Sequence, residues 1–305
     1  MRVLVVGAGA TGGYFGGRLA DAGRDVTFLV RPKRAAQLGA DGLQIVSEHG
    51  DLTIAPRLVV PGEVGGGYGL VLLAVKSYAL ARAIEDFAPA VGPDTLILPF
   101  LNGMAHIDVL SARFGTGRVL GGTCIVAATL DETGRVLQLA GFQAIGYGDR
   151  ADPESAGVRA LDPVLQGAGF DARRSAEIDL EMWGKWVALA ALGATTCLMR
   201  GTVGQVMAAP GGQRFTEDVL AECAAVAAAS GYPMRAASLD WMRARMTEAG
   251  SSFASSMYRD LIAGGPIEAD QIIGDFAARG RAAGVPVPLL SLAYTHLSVY
   301  QQSLA

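Results

Sequence analysis

Residues 2–13 have the sequence RVLVVGAGATGG, and this stretch decides the fold of the first half of the chain. A short apolar run is followed by Gly7, Gly9 and Gly12 in the spacing G-x-G-x-x-G, and the next residues favour a helix that stops near Gly23. Strand, glycine turn and helix are the parts of a dinucleotide-binding βαβ unit. The glycines permit a tight turn and close approach of a pyrophosphate, while the helix N-terminus offers free N–H groups to it.

The residues after the second predicted strand indicate which dinucleotide binds. The glycines, with Ala10 and Thr11 before Gly12, are predicted to hold its pyrophosphate. The next predicted strand is Asp25–Val30, and three cations follow it: Arg31, Lys33 and Arg34. An NAD site would place Asp or Glu here to accept hydrogen bonds from the ribose 2′-hydroxyl. Arg31 is instead suited to clamp a 2′-phosphate through two parallel bonds, with a solvated basic loop as the alternative, so the expected cofactor is NADPH.

The composition excludes several classes of protein. The chain has 305 residues, a formal net charge of −4 and no basic patch, so nucleic acid is not an expected partner. The longest apolar run, Trp186–Met199, is too short to cross a membrane as a helix. The three cysteines are far apart, the histidines are scattered, and no metal-ligand spacing occurs. Met1 leads directly into the first strand, so we expect no signal peptide and a cytoplasmic protein with reduced thiols.

The chain changes character after about residue 176. Before it, strands alternate with helices; the predicted strands are Leu52–Val60, Gly69–Val75, Thr95–Leu101 and Val119–Leu130, then two short ones within Arg135–Asp149, a helix at Pro153–Gly167 and a last strand at Phe170–Arg173. Beyond Ile178 the sequence favours Ala- and Leu-rich helices. We therefore predict a Rossmann-type α/β domain at residues 1–176 and an all-α domain at 177–305, with the substrate in a cleft between them.

Two polar side chains follow predicted apolar strands of the first domain. Lys76 comes after Leu70–Val75, and Asn102 begins the Asn-Gly pair after the next strand. Ligands of open α/β sheets bind beyond the carboxyl ends of the strands, so both residues are predicted to meet the nicotinamide end of a cofactor. A solvated lysine and an ordinary Asn-Gly turn are the alternatives.

The second domain supplies a candidate proton donor. Lys185 lies in the apolar helix EMWGKWVALAALGATTCL between Trp183 and Trp186. A buried lysine needs a partner, and a protonated amine can donate to a carbonyl oxygen as hydride arrives at the carbon. The alternative is a stem that extends to water. Ser256 and Glu268 are candidates for binding substrate and orienting the lysine, but from the residues alone a helix cap and an exposed first-turn carboxylate are the favoured interpretations.

Five segments together resemble the ketopantoate reductase family over almost the whole chain. They are GAGATGG near the N-terminus, VKSYAL at Val75–Leu80, LNGM at Leu101–Met104, WGKW around Lys185, and SSMYRDL with IEADQI near the C-terminus. The resemblance implies a Rossmann domain, a helical domain, and NADPH-dependent reduction of 2-dehydropantoate to pantoate in pantothenate biosynthesis. It also implies an oxidoreductase. The sequence does not determine the oligomeric state, for which a monomer and a homodimer are the alternatives.

The resemblance also implies roles for particular residues. Lys185 would be the general acid, and Glu268 would orient both substrate and lysine. Asn102 and Ser256 would hold the substrate, with Asn102 also at the cofactor. Arg31 and Lys76 would serve the NADPH, and Asp260 of the SSMxxD motif would brace the site.

The chain departs from the family beside the proton donor. Members usually have Asn four and eight residues after the catalytic lysine, on the same helix face, where this chain has Leu189 and Gly193. We expect a roomier, more apolar pocket wall there, with Thr196 replacing one hydroxyl contact. The leading function is reduction of a small 2-oxo acid such as 2-dehydropantoate. A reductase of a bulkier or more apolar ketone and a non-catalytic NADPH sensor are the alternatives.

Overall fold

The computed structural model describes residues 1–304, and the chain divides into two compact units. The first comprises Met1–Leu101 and His106–Ile178, and the second comprises Asn102–Ala105 together with the residues from Asp179 onward. The Asn-Gly turn after the last strand of the predicted Rossmann sheet therefore groups with the second unit. The domain boundary expected between residues 176 and 177 stays a prediction.

The first unit contains two β-sheets. Its strands are β1 Arg2–Val6, β2 Asp25–Leu29, β3 Leu43–Val46, β4 Leu52–Ile54, β5 Arg57–Val59, β6 Leu70–Leu73, β7 Leu96–Pro99, β8 Gly121–Leu130, β9 Val136–Gly148 and β10 Asp171–Arg174. The first sheet is parallel with the order β5-β2-β1-β6-β7, as expected for a Rossmann-type fold. Leu70–Leu73 of β6 are fully buried, because strands of a parallel sheet are covered on both faces.

The first unit places its helices around these sheets. They are α1 Ala10–Asp21, α2 Pro32–Asp41, α3 Leu80–Phe87, α4 Ala105–Phe114, α5 Ala156–Arg159 and α6 Asp162–Leu165, with 3₁₀ turns at Ser77–Ala79, Ala88–Ala90 and Thr116–Arg118. Gly23 has a φ of +76°, so the left-handed conformation that ends α1 falls on the predicted stop residue. The helix expected at Pro153–Gly167 is two short helices, since Pro163 stands in the first turn of a new one.

The second sheet corrects two sequence predictions. Its order is β10-β9-β3-β4, with β8 antiparallel to β9. The single strand expected at Leu52–Val60 is two strands in different sheets, because Pro56 lacks the N–H that a continuous ladder needs. The two strands expected within Arg135–Asp149 are one strand, in which Gly141 allows the carboxylate of Glu48 to approach the backbone.

The second unit is helical. Its helices are α7 Ile178–Leu198, α8 Val203–Ala208, α9 Gly212–Ala229, α10 Ala236–Met246, α11 Ser256–Ile262, α12 Asp275–Ala282 and α13 Pro288–Gln302, with a one-turn π-helix at Asp270–Gly274 before α12. The predicted fold class, an α/β Rossmann-type unit followed by a helical unit, is confirmed. Over residues 1–304, no helix has the length and apolar character needed to span a bilayer, and no cluster of three or more His, Cys, Asp or Glu side chains could hold a metal ion.

Candidate active site

The glycine turn between β1 and α1 has the backbone geometry of a dinucleotide-binding turn. Gly7 has a φ of +94°, and its N–H donates to the Leu29 carbonyl at 3.0 Å. A Cβ on Gly7 would lie 2.9 Å from the carbonyl oxygen of Ala74, just beyond β6. A Cβ on Gly12 would overlap the Gly7 carbonyl oxygen. Glycine is therefore required at both positions for steric reasons.

Gly9 and the first residues of α1 form an open site for an anion. Gly9 is the N-cap residue without a side-chain hydrogen bond, and a Cβ added to it would meet no atom within 4 Å. Ala10 and Thr11 follow, before the first intrahelical bond, which the Gly13 N–H donates to the Gly9 carbonyl at 2.8 Å. Free N–H groups at a helix N-terminus bind phosphate. The residues present thus fit the pyrophosphate of a dinucleotide.

The three cations after β2 have different surroundings. Arg31 is exposed and immediately precedes α2, and Lys33 is exposed as well. Arg34 turns inward, where its Nε donates to the Ala8 carbonyl at 3.2 Å and its Nη1 donates to the Gly134 carbonyl at 2.9 Å. Burial lowers the pKa of the Arg34 guanidinium. Arg31 is therefore open to a ligand, whereas Arg34 braces the glycine turn, a role that the sequence pattern did not indicate.

Lys76 lies at the same sheet edge as the glycine turn. It is exposed and follows β6, directly before the 3₁₀ turn Ser77–Ala79. Since β1 and β6 are parallel neighbours, their carboxyl ends meet at one edge of the sheet. This placement suits a contact with a cofactor bound to the glycine turn.

Lys185 lies on a fixed segment of α7. The lysine is half-buried, and the indoles on either side pack with ring centroids 5.0 Å apart. Trp186 is 1% exposed, and its Nε1 donates to the Ile272 carbonyl of the π-helix at 3.0 Å. Leu189, one turn further along, is also half-buried. Lys185 and Leu189 thus share a helix face that is not sealed by core packing.

Asn102 and Glu268 are both linked to the π-helix at Asp270–Gly274, which is itself bonded to α7. Gln271 of the π-helix donates from its Nε2 to the main-chain carbonyl of Asn102 at 2.9 Å. Glu268 is 7% exposed, and its carbonyl accepts the Ile272 N–H at 3.0 Å at the start of the same π-helix. The second unit therefore brings together the turn of Asn102, the segment of Glu268 and the helix of Lys185.

The Ser-Ser pair at the start of α11 separates into two roles. Ser255 is buried and caps the helix, because its Oγ accepts the Tyr258 N–H at 2.9 Å. Ser256 is the first helical residue and half-buried, so its hydroxyl is not used by the cap. Asp260 follows on the same helix, where it is half-buried.

Thr196 lies deep in the core of the second unit. It is 0% exposed, its Oγ1 donates to the Leu192 carbonyl at 2.7 Å, and it lies 2.9 Å from the Ser255 Oγ. Neighbouring Cys197 is likewise buried, which raises the pKa of its thiol to about 11. The bonds of Thr196 favour a structural role at the cap of α11, and its substrate contact stays a prediction.

The position of Gly193 corrects the expectation of a roomier wall. A Cβ built there would lie 2.8 Å from the Met257 Cε and 3.8 Å from the Ile273 Cδ1. Met257 is buried and follows Ser256 directly. The volume that an asparagine side chain would take is thus filled by a thioether. The atoms beside Gly193 are thus apolar, and the extra room expected at this position is not found.

Comparison with known proteins shows the family of the chain. The family model for ketopantoate reductase PanE/ApbA matches residues 3–152, and the model for the C-terminal part of the same family matches residues 177–301. Both halves of the molecule therefore match one class of two-domain oxidoreductases. The chain belongs to the ketopantoate reductase family.

Individual relatives cover nearly the full length of the chain. The uncharacterized oxidoreductase YkpB of Bacillus subtilis (strain 168) is 34% identical over 99% of both chains. A crystal structure of 2-dehydropantoate 2-reductase from Geobacter metallireducens GS-15 is 28% identical, covers 98% of this chain and 99% of its own, and superposes with a TM-score of 0.88. D-mandelate dehydrogenase, solved with NADH and anilino(oxo)acetate, shares the fold with a TM-score of 0.88 at 22% identity over 100% and 99% of the two chains.

Proposed function

We propose that this chain is an NADPH-dependent reductase of 2-oxo acids, and that it reduces 2-dehydropantoate to pantoate in pantothenate biosynthesis. The observation that carries the proposal is the convergence of the segments of Asn102, Lys185 and Glu268 within the second unit. Reduction of a ketone needs a proton donor and groups that orient the substrate. An NADPH sensor needs neither, so the retention of these side chains favours the enzyme.

The first unit is proposed to bind NADPH, which when bound supplies the hydride for the ketone carbon. The N–H groups after Gly9 would hold the pyrophosphate. Arg31 is open to a ligand at the end of β2, where a guanidinium would pair with the 2′-phosphate. Lys76, exposed at the same sheet edge as the turn, would contact the cofactor as well.

The second unit is proposed to supply the proton and hold the substrate. Lys185 would donate a proton to the carbonyl oxygen as that oxygen becomes an alkoxide. Glu268, a carboxylate at a buried position, would orient the ammonium group and the substrate. Asn102 and Ser256 would bind the polar groups of the 2-oxo acid.

The direct test is NADPH oxidation by the purified chain in the presence of 2-dehydropantoate, with the product identified by mass spectrometry. We expect pantoate as the product, and growth of a pantoate-requiring bacterial strain that expresses the chain. Absence of turnover with 2-dehydropantoate and with every other 2-oxo acid in a panel, while NADPH still binds, would favour the sensor.

A second candidate function is reduction of a more apolar 2-oxo acid. Leu189 is half-buried one turn from Lys185, and Met257 fills the space over Gly193, so two amide side chains typical of the family are replaced by apolar atoms. A site that lacks hydrogen-bonding partners does not select for a substrate hydroxyl.

The two candidates are separated by competition between substrates. When 2-dehydropantoate and a 2-oxo acid with an aryl or branched alkyl group are present at equal concentrations, the ratio of their rates of reduction equals the ratio of their kcat/KM values. A ratio well above one for 2-dehydropantoate supports the biosynthetic role. A ratio below one supports the apolar substrate.

A further inference from the structure

We propose that Gln271 is a positioning residue that sets the Asn102–Gly103 turn against the helix of Lys185. This inference rests on the proposed function, because it concerns how two of the proposed site residues are held relative to each other. Gln271 lies three residues after Glu268, within the IEADQI segment, and the sequence analysis gives it no role of its own.

The first observation is the way Gln271 holds the turn. Its Nε2 donates to the main-chain carbonyl of Asn102 at 2.9 Å. This bond uses the backbone of Asn102 and leaves its carboxamide available for a ligand. The Gln271 side chain can therefore fix the turn without competing for the group that would contact the substrate.

The second observation is the close fit of Gly103. Its φ is +80°, and a Cβ there would lie 2.7 Å from the Gln271 carbonyl oxygen and 3.5 Å from the Trp186 Nε1. The absence of a side chain lets the turn lie directly against both the π-helix and α7. The turn therefore has contacts on two elements that carry proposed site residues.

The third observation is that the π-helix is itself attached to α7. Trp186 donates from its Nε1 to the Ile272 carbonyl at 3.0 Å. The indole is held by Phe276, with ring centroids 4.5 Å apart, and by the Arg279 guanidinium, 5.6 Å from its ring centroid. A donor fixed in this way gives the carbonyl of Ile272, and hence Gln271 beside it, a defined position.

The π-helix is braced on its other side by α13. Tyr294 donates from its hydroxyl to the Asp270 Oδ1 at 2.7 Å, and Gln301 donates to the Asp270 Oδ2 at 3.4 Å. π-Helical turns are rare and occur frequently at functional sites. Gln301 thus touches the same π-helix as Gln271 without contacting Asn102, which makes it a matched control.

These bonds form one connected unit around the proposed chemistry. Trp186 is adjacent to Lys185, Gln271 and Ile272 follow Glu268 by one turn, and Gln271 holds Asn102. Reacting groups misplaced by about 1 Å can cost on the order of a hundredfold in rate. Loss of the Gln271 bond is therefore expected to lower turnover through Asn102 and not through unfolding.

The test compares Gln271→Met, which keeps length and volume but removes the donor, with Gln301→Met. We expect kcat/KM for the 2-oxo acid to fall about 10- to 100-fold in Gln271→Met, with a smaller change in NADPH affinity, because most of the proposed cofactor contacts lie on the glycine turn. Gln301→Met should retain wild-type kinetics. Wild-type kcat/KM in a folded Gln271→Met variant would overturn the proposal.

Gln271→Glu supplies a readout that a purely structural role would not change. A protonated carboxyl can donate to the Asn102 carbonyl, whereas the carboxylate would repel it. The activity of Gln271→Glu relative to wild type should therefore rise as the pH falls through the pKa of the introduced carboxyl. A relative activity that does not vary with pH would contradict the assigned hydrogen bond.

A third readout separates this inference from the proposed function. Hydrogen–deuterium exchange of residues 102–105 should increase in Gln271→Met and remain unchanged in Gln301→Met. If the wild-type chain reduces no 2-oxo acid, the proposed function fails, and the exchange data still decide whether Gln271 holds the turn. Unchanged exchange in Gln271→Met overturns the inference in either case.

Discussion

The two units of the molecule carry their proposed site residues in different ways. In the first unit, most of the cofactor site is one local stretch, Gly7–Gly12, in which strand, turn and helix follow each other in the chain. In the second unit, the proposed site residues come from three parts of the chain that are far apart in sequence, around Asn102, around Lys185 and between Ser256 and Glu268. The local site depends on backbone geometry, whereas the dispersed site depends on side chains and on the contacts that assemble them. Substitutions in the two units should therefore fail in different ways.

Lys185→Ala is expected to have the largest effect on turnover and the smallest on the fold. General acid catalysis contributes about 10²–10⁴-fold, so kcat should fall by that factor. NADPH should still bind, and the thermal midpoint should stay close to that of wild type, because the side chain is only half-buried. Stopped-flow kinetics and calorimetry measure the three quantities, with the exposed Lys33→Ala as the control. Turnover near wild type on a confirmed substrate would exclude Lys185 as the proton donor.

Glu268→Gln tests a second side chain of the dispersed site in the second unit. The substitution keeps the shape of a side chain that is 7% exposed but removes the charge that is proposed to orient the lysine. We expect kcat to fall and KM for the 2-oxo acid to rise together, with kcat/KM lower by about 10²-fold. Steady-state kinetics at saturating NADPH measures both constants. A change in KM alone would limit Glu268 to substrate binding.

Gly12→Ala and Gly9→Ala test the first unit, where the proposed site depends on backbone geometry. A Cβ at position 12 would overlap the Gly7 carbonyl, so Gly12→Ala should destabilise the protein by about 1–3 kcal/mol and abolish NADPH binding. A Cβ at position 9 meets no protein atom within 4 Å, so Gly9→Ala should fold normally and bind NADPH more weakly. Thermal unfolding and titration calorimetry separate the two effects. Equal destabilisation of both variants would contradict the open site at Gly9.

Arg31→Ala tests the choice of cofactor within the local site. A hydrogen bond to a charged group contributes about 1.5–3 kcal/mol, which corresponds to roughly ten- to a hundredfold in binding. NADPH should bind more weakly by about that factor, while NADH binding should change little. The dissociation constants of both cofactors decide the question. An equal loss for both would mean that Arg31 does not contact the 2′-phosphate.

Sequence patterns predicted the first strand, the glycine turn and α1, because the residues that determine these elements are neighbours in the chain. The spacing of the three glycines gave the turn, and Gly23 marked the end of α1. The strand boundaries of the second sheet were predicted wrongly at two places, because tertiary contacts determine them. Pro56 divides one apparent strand between two sheets, and Gly141 lies inside one continuous strand, where the Glu48 carboxylate packs against its backbone.

In the second unit the sequence supplied candidate residues but not the contacts that bring their segments together. No spacing indicates that Gln271 binds the backbone of Asn102, and the same holds in the first unit for Arg34, which reaches the Ala8 carbonyl. Likewise, the sequence distinguishes neither Ser255 as the cap of α11 nor Met257 as the side chain over Gly193. These facts depend on which segments pack together, and local patterns do not encode such long-range contacts.

The smallest expected effect concerns substrate selectivity at Leu189. The side chain is half-buried one turn beyond Lys185, so Leu189→Asn places an amide on the proposed substrate face without opening the core. Position 193 is different, because any side chain there must displace the Met257 thioether. We therefore expect Leu189→Asn alone to raise the ratio of kcat/KM for 2-dehydropantoate over an apolar 2-oxo acid by about tenfold, the value of one hydrogen bond. Gly193→Asn should show a lower thermal midpoint unless Met257→Ala accompanies it. Competition assays give the ratio, and Val299→Asn on the exposed face of α13 is a control that should leave it unchanged. If wild type already prefers 2-dehydropantoate and Leu189→Asn changes nothing, the polar contacts come from another wall of the pocket.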